Sequence, residues 1–458
     1  MIGAVPDLGK GSPDSDALAQ LWAVWVARRQ MNIRRSRYFD GEQALKDFGV
    51  AIPPQMKEVG AALGWTGKGI RAFTNRSRFE EFATRSNTDD PFEVSEIIDQ
   101  NRFQLEFPAA CVSSAMHGCS FLAVTRGDVG EPEVLVTARS AEDSAVLWDK
   151  RKRAVSAALA VVDIENGSPS ELIMYTAEHV YLISRRGSRW KIDKRAHSLG
   201  EVPVYPLVHG YELRRPLGHS RISRASMYFV DAALRTIMRA EVSSEFYSAV
   251  EYWLFGADVT DFIGGDKWNA RMGSIKAMDT DPLGGEKPTL HRFNGASPQP
   301  HIEQMRMWAN LFADEMDLEV KFADTANPSS AEAIFASKET QIVAVKDQNL
   351  AWGYGAADAM RAAIRLRDGL SEDTAEMAGL RAVFTDPELV SPSARADMFS
   401  KFSADIPGFS GTRTGLRMGG FTAERIDQLQ GELRNARVSE LVNRLRSGEI
   451  EQPEPVEE

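Results

Sequence analysis

The chain has 458 residues, a formal net charge of -11, 43% hydrophobic and 26% charged residues, a balance that excludes collagenous and wholly disordered architectures. Its two cysteines, Cys111 and Cys119, cannot staple a chain of this length, so a disulfide framework is excluded as well. Affinity for DNA rests mainly on cations that neutralise phosphates, so an acidic chain does not coat nucleic acid, and any dealing with DNA must be loose or local.

From Met1 to Lys10 no basic segment precedes an apolar run, and the apolar stretch around Leu21 to Ala27 is short and closed by Arg28 and Arg29. That reading places folding in a cytoplasm and away from a membrane span. After Pro13 a helix is expected, with Asp14 or Ser15 as N-cap and Leu18, Leu21, Trp22, Trp25 and Val26 on one apolar face. Arg28, Arg29, Arg34, Arg35 and Arg37 read as a solvated helix face, and Tyr38-Phe39-Asp40-Gly41 as a turn behind it.

Asp90 to Phe121 is mostly helical text, with Pro91 as start and Gly118 as stop. From Phe121 to Val208 the period shifts toward two. Phe121–Thr125, Glu133–Thr137, Ala158–Val162, Glu171–Tyr175 and His179–Ile183 are short segments between turn residues, which predicts a small antiparallel β module. Pro203, Pro206 and Pro216 mark a coil leading to Gly218, and Ser220 or Ser223 caps a long helix to about Val250. Glycines and prolines crowd residues 251–300, which predicts a loop-rich or small-β insertion.

A helix over His301–Asp317 follows, with Ile302, Met305, Ala309, Phe312 and Met316 in one stripe, then a turn over Leu318–Pro328. Ser329 and Glu332 form a capping box for a helix to about Asp368, on the order of 60 Å long. Gly353 and Gly355 predict a kink in it. Two or three shorter helices come next, and the acidic, proline-containing tail Glu449–Glu458 reads as disordered. The fold class expected is α+β.

No motif supplies chemistry. In Gly64-Trp65-Thr66-Gly67-Lys68-Gly69 the lysine is followed by glycine, which is not a phosphate loop. Cys111, His117 and Cys119 lack metal-ligand spacing. Asp258, Asp261, Asp266, Asp279 and Asp281 do not fit the spaced ligands of a calcium loop and read as solvated acids. With no Gly-x-Ser-x-Gly elbow and no His-Glu-x-x-His helix, no catalytic, cofactor or metal residue is assigned, and the chain reads as no enzyme.

The order of modules, together with Tyr38-Phe39-Asp40-Gly41, Asn101, His117-Gly118-Cys119-Ser120-Phe121, Val202-Pro203-Val204, Arg215-Pro216-Leu217-Gly218-His219-Ser220 and above all Asn327-Pro328-Ser329-Ser330-Ala331-Glu332-Ala333-Ile334, resembles the portal (head-to-tail connector) proteins of tailed bacteriophages. The likeness is to the type found in phages of Gram-positive and actinobacterial hosts, over about residues 15 to 430. One departure is Ala249-Val250-Glu251-Tyr252, where members often carry a Pro-Gln-Arg-Tyr-like run.

The resemblance implies a flexible N-terminus over 1–14, a wing of helices and small β module over 15–217, and a stem over 218–250 and 301–317. It further implies a clip over 251–300, a tunnel loop over 318–328, a long kinked wing helix over 329–369, a helical crown over 370–448 and an acidic tail over 449–458. It implies a ring of twelve copies at one capsid vertex of the virion, assembled in the host cytoplasm, through which double-stranded DNA is packaged and ejected without sequence specificity. The tunnel loop would present Glu319, Lys321, Asp324, Thr325 and Asn327 to the DNA. The clip, with Trp253, Phe262, Trp268 and Phe293, would bind terminase and then head-tail adaptors, and the ring would contact the major capsid protein. No cofactor, metal or membrane is called for, since ATP hydrolysis would belong to the terminase. An acidic ring suits the task, because it lets a duplex slide. Two other readings share the composition: a different capsid-associated scaffold or structural protein, and a soluble α/β enzyme.

Overall fold

A computed structural model describes residues 6, 8–9, 12–43, 62–84, 90–187, 189–247, 251–255, 275–278, 289–293, 297–318, 331–388 and 391–447. The first helix, α1 (Pro13–Asp40), is capped by Ser12, whose Oγ accepts the Ser15 N–H at 3.1 Å, with Pro13 where no amide donor is needed. The cap is thus Ser12 rather than Asp14 or Ser15. The arginine run and Tyr38-Phe39-Asp40 belong to the helix itself, which ends only at Gly41 in a left-handed conformation (φ 77°).

There follow α2 (Trp65–Thr74), β1 (Phe79–Ala83), α3 (Val94–Gln100) and α4 (Phe103–His117), the last stopped at Gly118. The β layer comprises β2 (Cys119–Arg126), β3 (Val134–Ser140), β4 (Ser144–Asp149), β5 (Ala154–Glu165), β6 (Ser168–Tyr175), β7 (His179–Arg186), β8 (Arg189–Ala196) and β9 (Val204–Val208). Then come α5 (Arg224–Tyr247), β10 (Glu251–Phe255), β11 (Ile275–Met278), β12 (Thr289–Phe293), α6 (Gln299–Glu315) and α7 (Ala331–Asp368). The chain continues through β13 (Arg381–Phe384), α8 (Pro392–Asp405), α9 (Arg413–Met418) and α10 (Ala423–Ser447). The fold is mixed helix and sheet with small, mainly antiparallel sheets.

Two sheets build the β layer: an antiparallel trio in the order β3-β2-β9 and an antiparallel meander β4-β5-β6-β7-β8. β2 is covered on both faces. Leu122 and Val124 join the core beneath α4 and α7, while Cys119, Phe121 and Ala123 face Ala158, Ala160 and Tyr175 of the meander. Strand β9 falls where the prolines read as coil. It pairs only with β2, and an edge strand tolerates Pro206 because the missing N–H has no ladder partner to lose.

The meander's other face is closed by α1, whose Leu18, Leu21, Trp22 and Trp25 pack on Leu159, Leu172, Met174 and Ile183. Trp25 donates its indole N–H to the Glu142 carbonyl at 3.0 Å. The largest core gathers Phe103, Phe107, Trp352, Ala356, Met360 and Ile364 with Leu122, Val136 and Leu207, so α4 and α7 pack against each other and on one face of the β3-β2-β9 trio. Phe79 and Phe384 join it where β1 pairs with β13, so the start of the 370–448 segment is stitched to the body.

Helix α7 is assigned continuously through Gly353 and Gly355. The glycines serve close packing. A Cβ on Gly355 would lie 2.5 Å from the Pro206 carbonyl oxygen, so its absence lets α7 seat directly on β9. The apolar stripe of α6 is also only partly realised: Phe312 and Met316 are buried, but Ile302 is 43% exposed.

Candidate functional site

α5 and α6 form a helical hairpin, and its root is where most of the sequence motifs meet. Ser223 Oγ accepts the Ser226 N–H at 3.0 Å and so caps α5. Along the hairpin, Trp308 of α6 donates its indole N–H to Thr236 Oγ1 of α5 at 3.2 Å and stacks near Phe229. On the outside, Tyr228, Ile302, Met307 and Leu311 remain exposed.

The root is tied by directional bonds. Tyr38, from the end of α1, donates its hydroxyl to Asp231 of α5 at 2.7 Å; burial first, then that carboxylate, pushes the phenol well above its ordinary range, so it stays a donor. Arg221 binds the Met316 carbonyl at 2.7 Å and Asp317 at 3.0 Å, with its guanidinium 4.3 Å from the Phe73 ring centroid. Its backbone N–H reaches the Ala115 carbonyl at 2.9 Å. One residue therefore joins α4, α2, the start of α5 and the end of α6.

Gly118 and Gly218 come together here. The Gly218 φ is 67°, and a Cβ there would lie 2.0 Å from the His209 carbonyl oxygen, so only glycine fits. The His209 N–H bonds the Gly118 carbonyl at 2.9 Å, and His209 Nδ1 lies 2.8 Å from the His219 carbonyl. Gly69, part of the glycine-lysine cluster weighed above as a phosphate loop, touches the same root: a Cβ there would lie 2.6 Å from Met316 Cε. Gly67, where a Cβ would lie 2.5 Å from the Phe39 carbonyl oxygen, and Gly69 are thus spent on helix packing.

His117 and His209 are both pushed down to about 4, His117 by burial and then by Arg35, His209 by burial above all. Both are neutral at pH 7. Arg35 donates to the His117 carbonyl at 2.8 Å, and Ser36, Ser113, Ser140 and Glu142 surround the imidazole. Cys111 and Cys119 are buried; burial raises both thiols, Cys119 to about 12, which makes them poor nucleophiles. Among the described residues no group of three or more His, Cys, Asp or Glu side chains could hold a metal ion, and no helix is long and apolar enough to cross a membrane.

At the far end of the hairpin β10 lies between β11, parallel to it, and β12, antiparallel. Trp253 is at the centre of β10, opposite Lys276 and His291, and Phe293 ends β12 opposite Glu251. Phe262 and Trp268 lie outside the described residues, as do Glu319, Lys321, Asp324, Thr325 and Asn327. The structure thus brings Trp253 and Phe293 onto one small sheet and locates the two ends of the 319–330 segment, at Leu318 and Ala331. Arg221, Phe73 and Asp231 were not singled out from sequence; their partners are distant in the chain, and only the clustering of glycines at 64–69 hinted that helices pass closely there.

Residues 18–436 match the family described as phage portal protein, SPP1 Gp6-like. The chain is similar to the portal protein of Mycobacterium phage D29, at 25% identity over 83% of this chain and 80% of that one. It is equally similar to the portal protein of Mycobacterium phage L5, at 25% identity over 81% and 78%. Among solved structures, it aligns with a chain from the neck of an empty GTA particle computed with C6 symmetry, at 12% identity, 79% and 90% coverage and a TM-score of 0.42. A chain from the neck of a native GTA particle computed with C12 symmetry aligns at 12% identity, 86% and 99% coverage and a TM-score of 0.39.

Proposed function

The chain belongs to the SPP1 Gp6-like phage portal protein family, and from that premise we propose that its copies close into a twelve-membered ring at one capsid vertex, with the α5–α6 hairpin lining a channel for double-stranded DNA. The observation that carries this reading is the hairpin itself, which is rigidly rooted yet leaves Tyr228, Ile302, Met307 and Leu311 exposed. Apolar residues on the outside of a strut are what a neighbouring copy covers in a heterologous ring contact.

The segment 318–328 then passes through the channel between α6 and α7, with Glu319, Lys321, Asp324, Thr325 and Asn327 toward the DNA. Arg221 holds the residues just before it, so the segment acts as a loop on a fixed support. The β10–β12 module is the clip, and Trp253, Phe262, Trp268 and Phe293 supply anchors for terminase and later for head-tail adaptors. The body faces the major capsid protein, and the ring assembles in the host cytoplasm. Its part in packaging and ejection is structural, with ATP hydrolysis left to the terminase.

Asp324→Lys tests the channel. A carboxylate in every copy repels phosphates, whereas a lysine in every copy makes a collar of cations that releases counterions on binding DNA. The variant ring should retain DNA more tightly at low salt, with a steeper salt dependence, and particles should package less DNA. If packaged DNA per particle and retention across a salt series both match the unaltered protein, the channel assignment is wrong.

A further inference from the structure

The five-stranded meander does not end evenly. β5 pairs with β6 only from Ala158 onward, opposite Tyr175, whereas its pairing with β4 continues to Asp149 and Ala154. The end of β4 and the start of β5 therefore continue past β6 as a two-stranded ribbon, by about 13 Å for four residues at roughly 3.3 Å each, with Val155 and Trp148 packed on the core beside Val202 and Val204. At its tip stand Lys150, Arg151, Lys152 and Arg153, all exposed.

The turn is built in advance. Asp149 Oδ1 accepts the N–H of Arg151 at 2.8 Å and of Lys152 at 3.1 Å, and Arg153 takes up φ 52°. The one acid in the turn is thus engaged by the backbone. Elsewhere arginines meet carboxylates: Arg195 with Asp128 at 2.8 Å, Arg361 with Asp373 at 2.9 Å, Arg413 with Glu81 at 3.2 Å. Among the described residues, Lys150, Arg151, Lys152 and Arg153 make no such pair. Four like charges in one turn repel each other, a cost that a bound polyanion converts into a gain.

We propose that this tip docks on the phosphate backbone of duplex DNA, at a site separate from the channel. The turn closes between the paired Asp149 and Ala154, so its four cations fan out from one point, and their long side chains suffice to meet about three phosphates of one strand. A protein partner would need an apolar anchor beside the charge, and Lys150-Arg151-Lys152-Arg153 offers none. The site does not depend on the ring, since each copy carries a complete tip.

A closed circular plasmid tests it, because a closed circle cannot thread an assembled ring. With about three phosphates neutralised per tip, the full-length chain should bind the circle at 50 mM salt and lose about 40-fold in affinity per engaged tip by 200 mM. The triple variant Lys150→Gln, Arg151→Gln, Lys152→Gln keeps the backbone N–H groups that Asp149 holds, so its melting temperature and assembly state should be unchanged while binding and its salt slope are lost. Binding of the circle by this variant with an unchanged slope overturns the proposal, as does failure of the unaltered chain to bind at 50 mM salt. If the unaltered chain ignores the circle and the variant alters assembly, the tip meets an acidic face of another copy, and the DNA site is wrong.

Discussion

The body around α7 and the C-terminal helices from residue 391 onward are both largely helical, but they treat their apolar residues in opposite ways. In α7, Trp352, Ala356, Ala357, Ala359, Met360, Ala362, Ala363 and Ile364 are at most 1% exposed. In α8 no described residue is buried, and Met398, Phe402 and, just past its end, Ile406 are 36%, 36% and 47% exposed. Farther on, α10 exposes Leu433, Val438 and Val442. Ion pairs link the two regions: Arg413 and Arg417 of α9 reach Glu81 and Glu80 of β1.

Helical propensity alone does not explain why both regions are folded, because isolated helices are marginal in water and draw their stability from a packed face. The body packs its own apolar face; the C-terminal helices bury Leu416 and Ile426 but leave Met398, Leu433, Val438 and Val442 at the surface. The proposed ring would resolve this difference, with each copy covering part of the next.

The comparison is broken most directly at Trp352. Replacing it by alanine removes a wholly buried ring and its 3.0 Å bond to Ser114 Oγ, and should cost about 3–5 kcal/mol of body stability by chemical denaturation. A change below about 1 kcal/mol would mean that the body is not the self-sufficient unit described.

Acid gives the next largest effect. His117 and His209 have folded-state values near 4, below the ordinary 6.5, so the unfolded chain binds protons more readily than the folded one. Their contribution is complete above about pH 6.5, is lost progressively as pH falls toward 4, and amounts to on the order of 2–3 kcal/mol each. Thermal melting across pH 7 to 4 should show the body weakening through that window, and His209→Gln should flatten the slope. A slope equal to that of the unaltered chain would place His209 in solvent.

At the other extreme, Val438→Ser on α10 should change the isolated chain by no more than about 0.5 kcal/mol, since Val438 is 55% exposed and leaves an already open surface. In assembled particles the same substitution should lower the melting temperature. Equal shifts in both states would mean that this face of α10 is covered within its own chain.

Helices and their spacing were legible in the sequence because each bears its own periodic face: Leu18, Leu21, Trp22 and Trp25 lie on the meander as their spacing predicts. The β module was legible for the same reason, through segments such as Glu171–Tyr175 in β6. What stayed hidden was nonlocal. β8 has only Trp190 and Ile192 alternating with Arg189, Lys191 and Asp193 before Lys194 breaks the pattern, too short a signal among so many charges, and β9 was masked by Pro206. Gly353 and Gly355 signalled flexibility by type, but their use is contact with β9 and with Phe384, set by chain segments far away. For the site, Tyr38 and Gly218 were marked by their motifs, whereas Arg221 was one arginine among many until its partners at Ala115, Phe73 and Met316 came together.

The central claim is that the open apolar faces of the hairpin and the C-terminal helices are closed by other copies of the same chain. Mass photometry of the purified full-length chain at micromolar concentration, followed by electron microscopy of the vertex in assembled particles, measures it directly. The account predicts a closed ring of uniform copy number with the α5–α6 hairpins toward its axis. A species of single-chain mass in solution, together with no ring at the vertex, would contradict it.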